Sequence, residues 1–171
     1  MNAPQFDLTG VDGQRHSPQS ARGDKGLVVM FICNHCPYVK AVIDRIVRDC
    51  KELQALGIGS IAVMSNDPSD YPEDSFENMK RVAREKGFPF PYVIDGTQDV
   101  ARAYDAVCTP EFFGFNSALE LEYHGRLDAS RRELVPNAKR ELFDAMKLIA
   151  GTGKGPKEQI ASVGCSIKWK K

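Results

Sequence analysis

An uninterrupted apolar run that leads directly into a helix is the feature that most constrains this chain. Leu27–Ile32 has no polar residue and is partly β-branched, which is typical of a strand buried on both faces. After Cys33-Asn34-His35-Cys36-Pro37 the apolar residues recur at helical spacing, from Val39 to Leu53. Pro37 suits the first turn of that helix, where a backbone N–H has no partner in any case. The sequence therefore predicts a central strand that ends in a two-cysteine loop at the beginning of a helix.

The segments on either side predict an α/β fold with a mixed β-sheet. Strands separated by helices imply parallel pairing, and two hairpins add antiparallel pairs, so we expect helices on both faces of the sheet. The predicted elements are an N-terminal β-hairpin at 5–20, strands at Ile58–Met64 and Tyr92–Ile94, a late hairpin formed by Phe112–Phe115 and Leu119–Tyr123, and a last helix marked by Leu142, Met146 and Ile149.

The length of 171 residues suits one domain, for which we expect residues 1–150, followed by a basic C-terminal tail at 151–171. The tail holds five lysines and one glutamate and begins with a Gly-rich stretch typical of a linker. The whole chain carries 23 basic and 23 acidic residues, so no global basic excess exists to bind nucleic acid or an anionic membrane.

Cys33 and Cys36 carry the strongest chemical signal in the sequence. A thiol at a strand-to-helix junction faces unpaired N–H groups and the positive end of the helix dipole, and both favour the thiolate. The second thiol can attack a mixed disulfide formed by the first, so the pair can cycle between dithiol and disulfide. His35 lies between the two cysteines. We expect its imidazolium to stabilise a thiolate at Cys33.

The chain resembles the thioredoxin superfamily, and specifically its redoxin branch of peroxiredoxin-like proteins and disulfide reductases, over most of residues 5–150. The resemblance rests on the N-terminal hairpin, the strand that runs into CNHC, the long helix after it, and Val107-Cys108-Thr109-Pro110. It implies a thioredoxin-like fold in which Pro110 is a cis-proline opposite the CxxC and Thr109 offers its backbone to an extended substrate. It also implies that Cys33 attacks and Cys36 resolves. We take His35 as a further catalytic residue.

Asn34, between the two thiols, is predicted to bind substrate together with Thr109. The expected activity is thiol–disulfide exchange with a protein or small-molecule disulfide, supported by an electron donor such as a thioredoxin or glutathione system. A thiol peroxidase that uses Cys33 is the alternative. Typical peroxiredoxins carry Pro and Thr in a P-x-x-x-T-x-x-C frame, and counted from Cys33 these positions are Gly26 and Met30. The missing Thr favours disulfide exchange over antioxidant peroxidase activity.

The remaining cysteines leave two interpretations open. Cys50 lies on the apolar stripe of the first long helix and is expected in the core. Cys108 lies near Pro110, and core packing is again the simpler interpretation. Cys165 is either a third redox thiol on a flexible tether or part of a strap whose Ile167 covers apolar surface.

A metal-binding protein is the alternative from another functional class. A CxxC can be half of a zinc site, but the other cysteines provide no second pair at suitable spacing. Copper chaperones of the redoxin branch combine two cysteines with a distant histidine, which would correspond here to Cys33, Cys36 and His124, although their cysteine pair is CxxxC. We expect His124 to be a solvent-facing hairpin residue and predict no metal and no other cofactor.

The N-terminal residues lack the basic start and apolar core of a secretory signal. The longest apolar run is far shorter than the roughly 20 residues that span a bilayer. Five cysteines are an odd number and too few for a disulfide scaffold. The sequence therefore predicts a cytoplasmic protein with reduced thiols and with neither a nucleic-acid nor a membrane partner.

Overall fold

A central mixed β-sheet with helices on both faces forms the fold, as the computed structural model of residues 1–171 shows. The strands are β1 (Leu8–Thr9), β2 (Arg15–His16), β3 (Gly26–Phe31), β4 (Ile58–Met64), β5 (Tyr92–Ile94), β6 (Cys108–Thr109), β7 (Glu111–Asn116), β8 (Leu121–Gly125) and β9 (Cys165–Ser166). The helices are α1 (Pro18–Ala21), α2 (Pro37–Ala55), α3 (Phe76–Glu85), α4 (Asp99–Ala103) and α5 (Glu141–Thr152). None of these helices combines the length and the apolarity that crossing a bilayer requires.

Strand β3 occupies the middle of the sheet. It pairs antiparallel with β7, which pairs antiparallel with β8, while β4 and β5 pair parallel on the other side. Just beyond β3, the Ile32 N–H donates to the Val63 carbonyl oxygen at 3.1 Å and so links it to β4. All six residues of β3 are buried, as its unbroken apolar sequence predicts.

The alternation of side chains along β3 divides the core in two. Val28, Met30 and Ile32 point into a core formed with α2 and α5, and both cysteines of the CxxC belong to it. Leu27, Val29 and Phe31 point to the opposite face of the sheet. They belong to a second core, which also includes Val100 of α4. The two-cysteine loop therefore lies where the first core reaches the end of the sheet.

The two predicted hairpins are present, with one change of boundary. β1 and β2 pair antiparallel, and Gly13 between them has a φ of 78°. The late hairpin turns after Asn116, whose Oδ1 accepts from the N–H groups of Ala118 and Glu120 at 3.0 Å. Leu119 has a φ of 59°, so β8 begins at Leu121 rather than at Leu119.

The chain after α5 returns along the molecule to the end of the sheet that carries the cysteines. Helix α5 continues to Thr152, and Gly153 ends it in the left-handed conformation. Gln159 and Ser162 then bond to strand β8, through the carbonyl oxygens of Glu122 and Gly125. Further on, Cys165–Ser166 forms β9, which pairs antiparallel with β6.

Candidate active site

Helix α2 begins one residue after the second cysteine. Pro37 is its first residue, so Cys36 is the N-cap and its carbonyl oxygen accepts from the Lys40 N–H at 2.9 Å. Cys33 lies before the helix, between the end of β3 and this cap. Both side chains are buried. Cys36 is therefore the thiol at the positive end of the helix dipole.

The two thiols have opposite electrostatic environments. The neighbouring Cys33 thiol, with a smaller effect of Cys165, outweighs burial and lowers the pKa of Cys36 below its ordinary value. Cys36, together with burial and the nearby charge of Asp74, raises the pKa of Cys33 above its ordinary value. The two thiols therefore titrate as a coupled pair, and the helix end favours the negative charge on Cys36.

Thr109 contacts both thiols from the opposite side. Its Oγ1 lies 3.4 Å from Cys33 Sγ, and its carbonyl oxygen lies 3.5 Å from Cys36 Sγ. The Thr109–Pro110 peptide bond is cis, as the resemblance implies. The residues that the sequence analysis assigned to opposite walls of one site therefore do meet.

His35 is held by a buried carboxylate that the sequence analysis did not connect with it. Its Nδ1 lies 2.5 Å from Asp74 Oδ2, and its ring stacks on Tyr71 with centroids 4.5 Å apart. Asp74 has no exposed surface and also accepts from the Asn66 amide at 3.0 Å. The carboxylate that holds His35 therefore acts against a thiolate at Cys33, because the Asp74 charge raises the pKa of Cys33. This arrangement differs from the expected stabilisation of a Cys33 thiolate by His35.

Asn34 is fixed by bonds inside the protein. Its Nδ2 donates to the Glu73 carbonyl oxygen at 2.9 Å, and its Oδ1 accepts from the Tyr92 hydroxyl at 2.8 Å. Cys33 and Asn34 nevertheless line the wall of a cavity of about 370 Å³, which also has Lys40 along it. Through this cavity, the part of the loop that holds Cys33 and Asn34 opens toward solvent.

His124 does not join the two cysteines, which is a correction to the alternative metal site. Its ring stacks on Phe113 at 4.3 Å, and its Nε2 lies 2.5 Å from Glu111 Oε2. Phe113 belongs to the second core, on the face of the sheet away from the cysteines. Alternation along the strand thus places this histidine on the wrong face.

Three potential metal ligands do lie together, namely Cys33, His35 and Asp74. Their ligand atoms are within 4.8 Å of one another. The Asp74 carboxylate already accepts from His35, from the Asn66 amide and from the Asn34 N–H at 2.7 Å. These bonds hold His35 and the loop in place, and they occupy the oxygens that a cation would need.

Cys165 lies beside Cys36. Strand β9 places it opposite Thr109, whose carbonyl oxygen lies 3.5 Å from Cys36 Sγ. Cys50 is buried in α2, as expected, and burial raises its pKa to about 12. Cys108 is also buried, and its sulfur lies 3.9 Å from the Ser162 carbonyl oxygen.

The AhpC/TSA family profile matches residues 1–129. The chain belongs to the AhpC/TSA family. This membership, with the observed fold, confirms the assignment to the redoxin branch of the thioredoxin superfamily.

Solved structures similar to this AhpC/TSA family member agree on the fold. An uncharacterized conserved protein from Geobacillus kaustophilus is 46% identical, with a TM-score of 0.94 over 99% of this chain and 91% of that chain. A hypothetical protein from Sinorhizobium meliloti 1021 is 30% identical, also with a TM-score of 0.94, over 99% and 93% of the two chains. A thiol:disulfide interchange protein of the thioredoxin family from Chlorobium tepidum TLS shares the fold at 20% identity, with a TM-score of 0.68 over 88% and 97%. No curated protein sequence matches the chain.

Two polar residues of this AhpC/TSA site were missed from sequence. Asp74 lies directly before Ser75, the N-cap of α3, whose Oγ accepts from the Asn78 N–H at 3.2 Å, so its position in the sequence suggests a helix start rather than a site residue. Asn66 follows β4 without any motif around it. A polar residue directly after a buried strand was the only available signal for Asn66.

Proposed function

We propose that this protein is a thiol–disulfide oxidoreductase in which Cys36 attacks the substrate disulfide and Cys33 resolves the mixed disulfide. The observation that carries the proposal is the position of Cys36 as N-cap of α2, with its sulfur 3.5 Å from the Thr109 carbonyl oxygen on the opposite wall of the site. The thiolate is the nucleophile, so the helix end selects Cys36. This order reverses the one that the resemblance implied.

The reaction proceeds in two exchanges. The Cys36 thiolate attacks one sulfur of a disulfide, a Cys36–substrate disulfide forms, and the other substrate sulfur leaves as a thiolate. Cys33 then loses its proton and attacks the Cys36 sulfur, which forms the Cys33–Cys36 disulfide and releases the second substrate sulfur. The protein is oxidised by two electrons, and the substrate disulfide is reduced to two thiols.

The His35–Asp74 pair is suited to accept the Cys33 proton in the second exchange. Cys33 Sγ lies within 4.8 Å of a ligand atom of each of these residues. Loss of negative charge at Cys36 also removes a cause that keeps Cys33 protonated. Asp74 thus becomes a positioning residue that holds the imidazole beside the thiol.

The proposed substrates are protein or small-molecule disulfides, and the proposed reductant is a thioredoxin or glutathione system. Thr109 supports the disulfide interpretation, because its carbonyl oxygen and hydroxyl stand within 3.5 Å of the two sulfurs. We also propose a cytoplasmic location, consistent with five free cysteines.

Single-cysteine variants test the order of attack. With glutathione disulfide as substrate, Cys36→Ser should no longer reduce the disulfide at all. Cys33→Ser should stop after the first exchange, with glutathione bound to Cys36 or with Cys36 in a disulfide to another cysteine of the protein. Cys50→Ser is the matched control, because that thiol is buried in the same helix and should not react. Glutathione retained on Cys33 in Cys36→Ser, with no reaction at Cys36 in Cys33→Ser, would restore the original order.

Peroxidase activity is the second candidate, because the chain belongs to the AhpC/TSA family. Counted from Cys36, the threonine position of the P-x-x-x-T-x-x-C frame is occupied by Cys33 and the proline position by Val29. A thiol is a weaker hydrogen-bond donor to peroxide than a hydroxyl. We therefore expect hydrogen peroxide to be consumed more slowly than a disulfide is reduced, and the reverse result would favour the peroxidase.

A further inference from the structure

The C-terminal segment occupies the strand edge next to the thiol pair. We call Gln159–Trp169 the strap. Within it, β9 pairs with β6 in the register Cys108 to Ser166 and Thr109 to Cys165. Just after β9, the Ile167 N–H donates to the Val107 carbonyl oxygen at 3.0 Å. The strap thus lies along the backbone of Thr109, the position expected to bind an extended substrate.

A glycine fixes how closely the strap approaches. A Cβ on Gly164 would lie 2.0 Å from the Thr109 carbonyl oxygen and 3.2 Å from the Pro110 nitrogen. Such a contact is with backbone and cannot be relieved by a side-chain movement. The residue before Cys165 must therefore be glycine for the strap to seat against this edge.

The strap is anchored on both sides of Cys165. Before it, the Ser162 Oγ donates to the Gly125 carbonyl oxygen at 2.8 Å. After it, Ile167 is buried in the second core, and the Lys168 N–H donates to Asn66 Oδ1 at 2.9 Å. Cys165 is therefore held in place rather than carried on a flexible tether.

Cys165 lies on the Cys36 side of the thiol pair. Strand β9 pairs it with Thr109, whose carbonyl oxygen lies 3.5 Å from Cys36 Sγ, whereas Cys33 Sγ meets the Thr109 side chain at Oγ1. A third redox thiol is therefore placed to react with Cys36 and not with Cys33.

We propose that Cys165 is a second resolving thiol, which forms a disulfide with Cys36 and thereby fastens the strap covalently over the Thr109 edge. The inference rests on the proposed function, because it needs Cys36 as the attacking thiol. After Cys36 has formed a mixed disulfide with a substrate, Cys165 gives up its proton and attacks the Cys36 sulfur. The Cys36–Cys165 disulfide forms, and the substrate sulfur leaves as a thiolate that takes up a proton.

A further exchange releases the strap and moves the disulfide to the Cys33–Cys36 pair. Cys33 attacks the Cys36 sulfur of the Cys36–Cys165 disulfide, forms Cys33–Cys36 and releases Cys165 as a thiol. No electrons are gained or lost in this step. The protein therefore has one oxidised state with a fastened strap and another with a free strap.

The charges around Cys165 suit attack only after Cys36 has reacted. Burial, donation to Cys36 and the Cys36 charge raise the pKa of Cys165 to about 11, so it is a thiol in the reduced protein. Two of these causes disappear once Cys36 is a disulfide and carries no charge. Lys168 opposes them and favours the Cys165 thiolate.

Cys33→Ser with glutathione disulfide tests the proposal, because it removes the competing thiol. After free thiols are blocked, peptide mapping should show loss of glutathione from Cys36 and a Cys36–Cys165 disulfide. Cys36 that keeps glutathione while Cys165 is fully alkylated would overturn the inference and leave the proposed function intact. Cys36 that does not react at all would overturn both. Cys108→Ser is the matched control and should leave the wild-type disulfide pattern unchanged.

Gly164→Ala tests the same proposal with all three thiols present. In a rapidly quenched oxidation of the wild-type protein, the Cys36–Cys165 disulfide should appear before Cys33–Cys36 accumulates. The Cβ should displace β9, so Gly164→Ala should lose the first species and keep the second. Gly96→Ala, where a Cβ meets no atom within 4 Å, is the control. The same time course in wild type and Gly164→Ala, or no Cys36–Cys165 species in wild type, contradicts the proposal.

Discussion

At the scale of single residues, the position of one proton decides the chemistry of the site. Cys36 lies at the beginning of α2, and Cys33 lies near the buried carboxylate of Asp74. Both the helix dipole and this carboxylate favour the charge on Cys36 and the proton on Cys33. The two thiols therefore differ in role although they are only three positions apart.

The depressed pKa of Cys36 makes the stability of the reduced protein depend on pH. The unfolded thiol keeps its proton up to its ordinary pKa of 9.0, whereas the Cys33 thiol beside it lowers the pKa of the folded Cys36 thiol. Between the folded and the unfolded pKa the unfolded chain binds more protons, so the free energy of unfolding rises with pH, by at most about 1.4 kcal/mol per pH unit. This contribution is complete above the unfolded pKa and is lost as the pH falls through the folded pKa.

Urea unfolding of the fully reduced protein measures this effect. The stability difference between wild type and Cys36→Ser should widen from about pH 5 to about pH 7. Cys33 does not oppose the trend, because its raised pKa keeps it protonated in this range. Cys50 also has a raised pKa and stays protonated in this range, so the stability difference between wild type and Cys50→Ser should not change with pH. A constant difference for Cys36→Ser as well would mean that Cys36 is not a thiolate.

Asp74→Asn tests the charge that keeps Cys33 protonated. Removing the carboxylate should lower the pKa of Cys33, so that alkylation of this thiol begins at a lower pH in mass-spectrometric assays. Glu73→Gln is the matched control, because Glu73 is exposed on the same turn and pairs with Lys40. If both variants alkylate Cys33 with the wild-type pH profile, Asp74 does not influence the thiol.

Among the elements, helix α2 and strand β9 act on Cys36 in opposite ways. The helix end makes the sulfur reactive, but Cys36 has no exposed surface, and the strap is one of the segments packed beside it. A substrate that reaches Cys36 must therefore displace the strap, and the anchors of the strap should control the rate.

Ile167→Ala should loosen the strap. Ile167 is buried in the second core, and truncation of such a side chain costs about 2–5 kcal/mol. We expect faster alkylation of Cys36 in the reduced protein together with lower stability. Ile160→Ala offers a control in the same strap, because this residue is half exposed and should change stability by less than about 0.5 kcal/mol. Equal alkylation rates in both variants would show that the strap does not govern access.

Across the whole molecule, the two cores fix how the helices pack against the sheet. Helix α5 rests directly on the sheet at Gly114 of β7, where a Cβ would lie 2.4 Å from Met146 Sδ. This close approach brings α5 beside α2, and both contribute to the core that contains the cysteines.

Gly114→Ala should separate α5 from the sheet and lower the free energy of unfolding by about 1–3 kcal/mol. Gly151→Ala provides a contrast within α5, because its Cβ would meet nothing within 4 Å. There the better helix propensity of alanine should raise stability by up to about 1 kcal/mol. Thermal unfolding of the two variants should therefore shift in opposite directions, and a neutral Gly114→Ala would contradict this account of the packing.

Some features could be predicted because they are local. The run Leu27–Ile32 contains only apolar residues, and a strand of that kind must be covered on both faces. The helical spacing after Pro37 fixes α2, and Asp12-Gly13 fixes the first turn. Neighbouring residues interact within each of these elements, so the pattern in the sequence is sufficient.

The fold class, the strand-to-helix junction and the two thiols in it follow from local patterns in the sequence. The surroundings of each thiol do not, because Asp74 and the strap reach the loop from distant parts of the chain. The tertiary structure also separated His124 from the cysteines, since the strand places that side chain on the other face of the sheet. Contacts between distant segments leave no periodic signal, and the pKa of a buried thiol depends on those contacts.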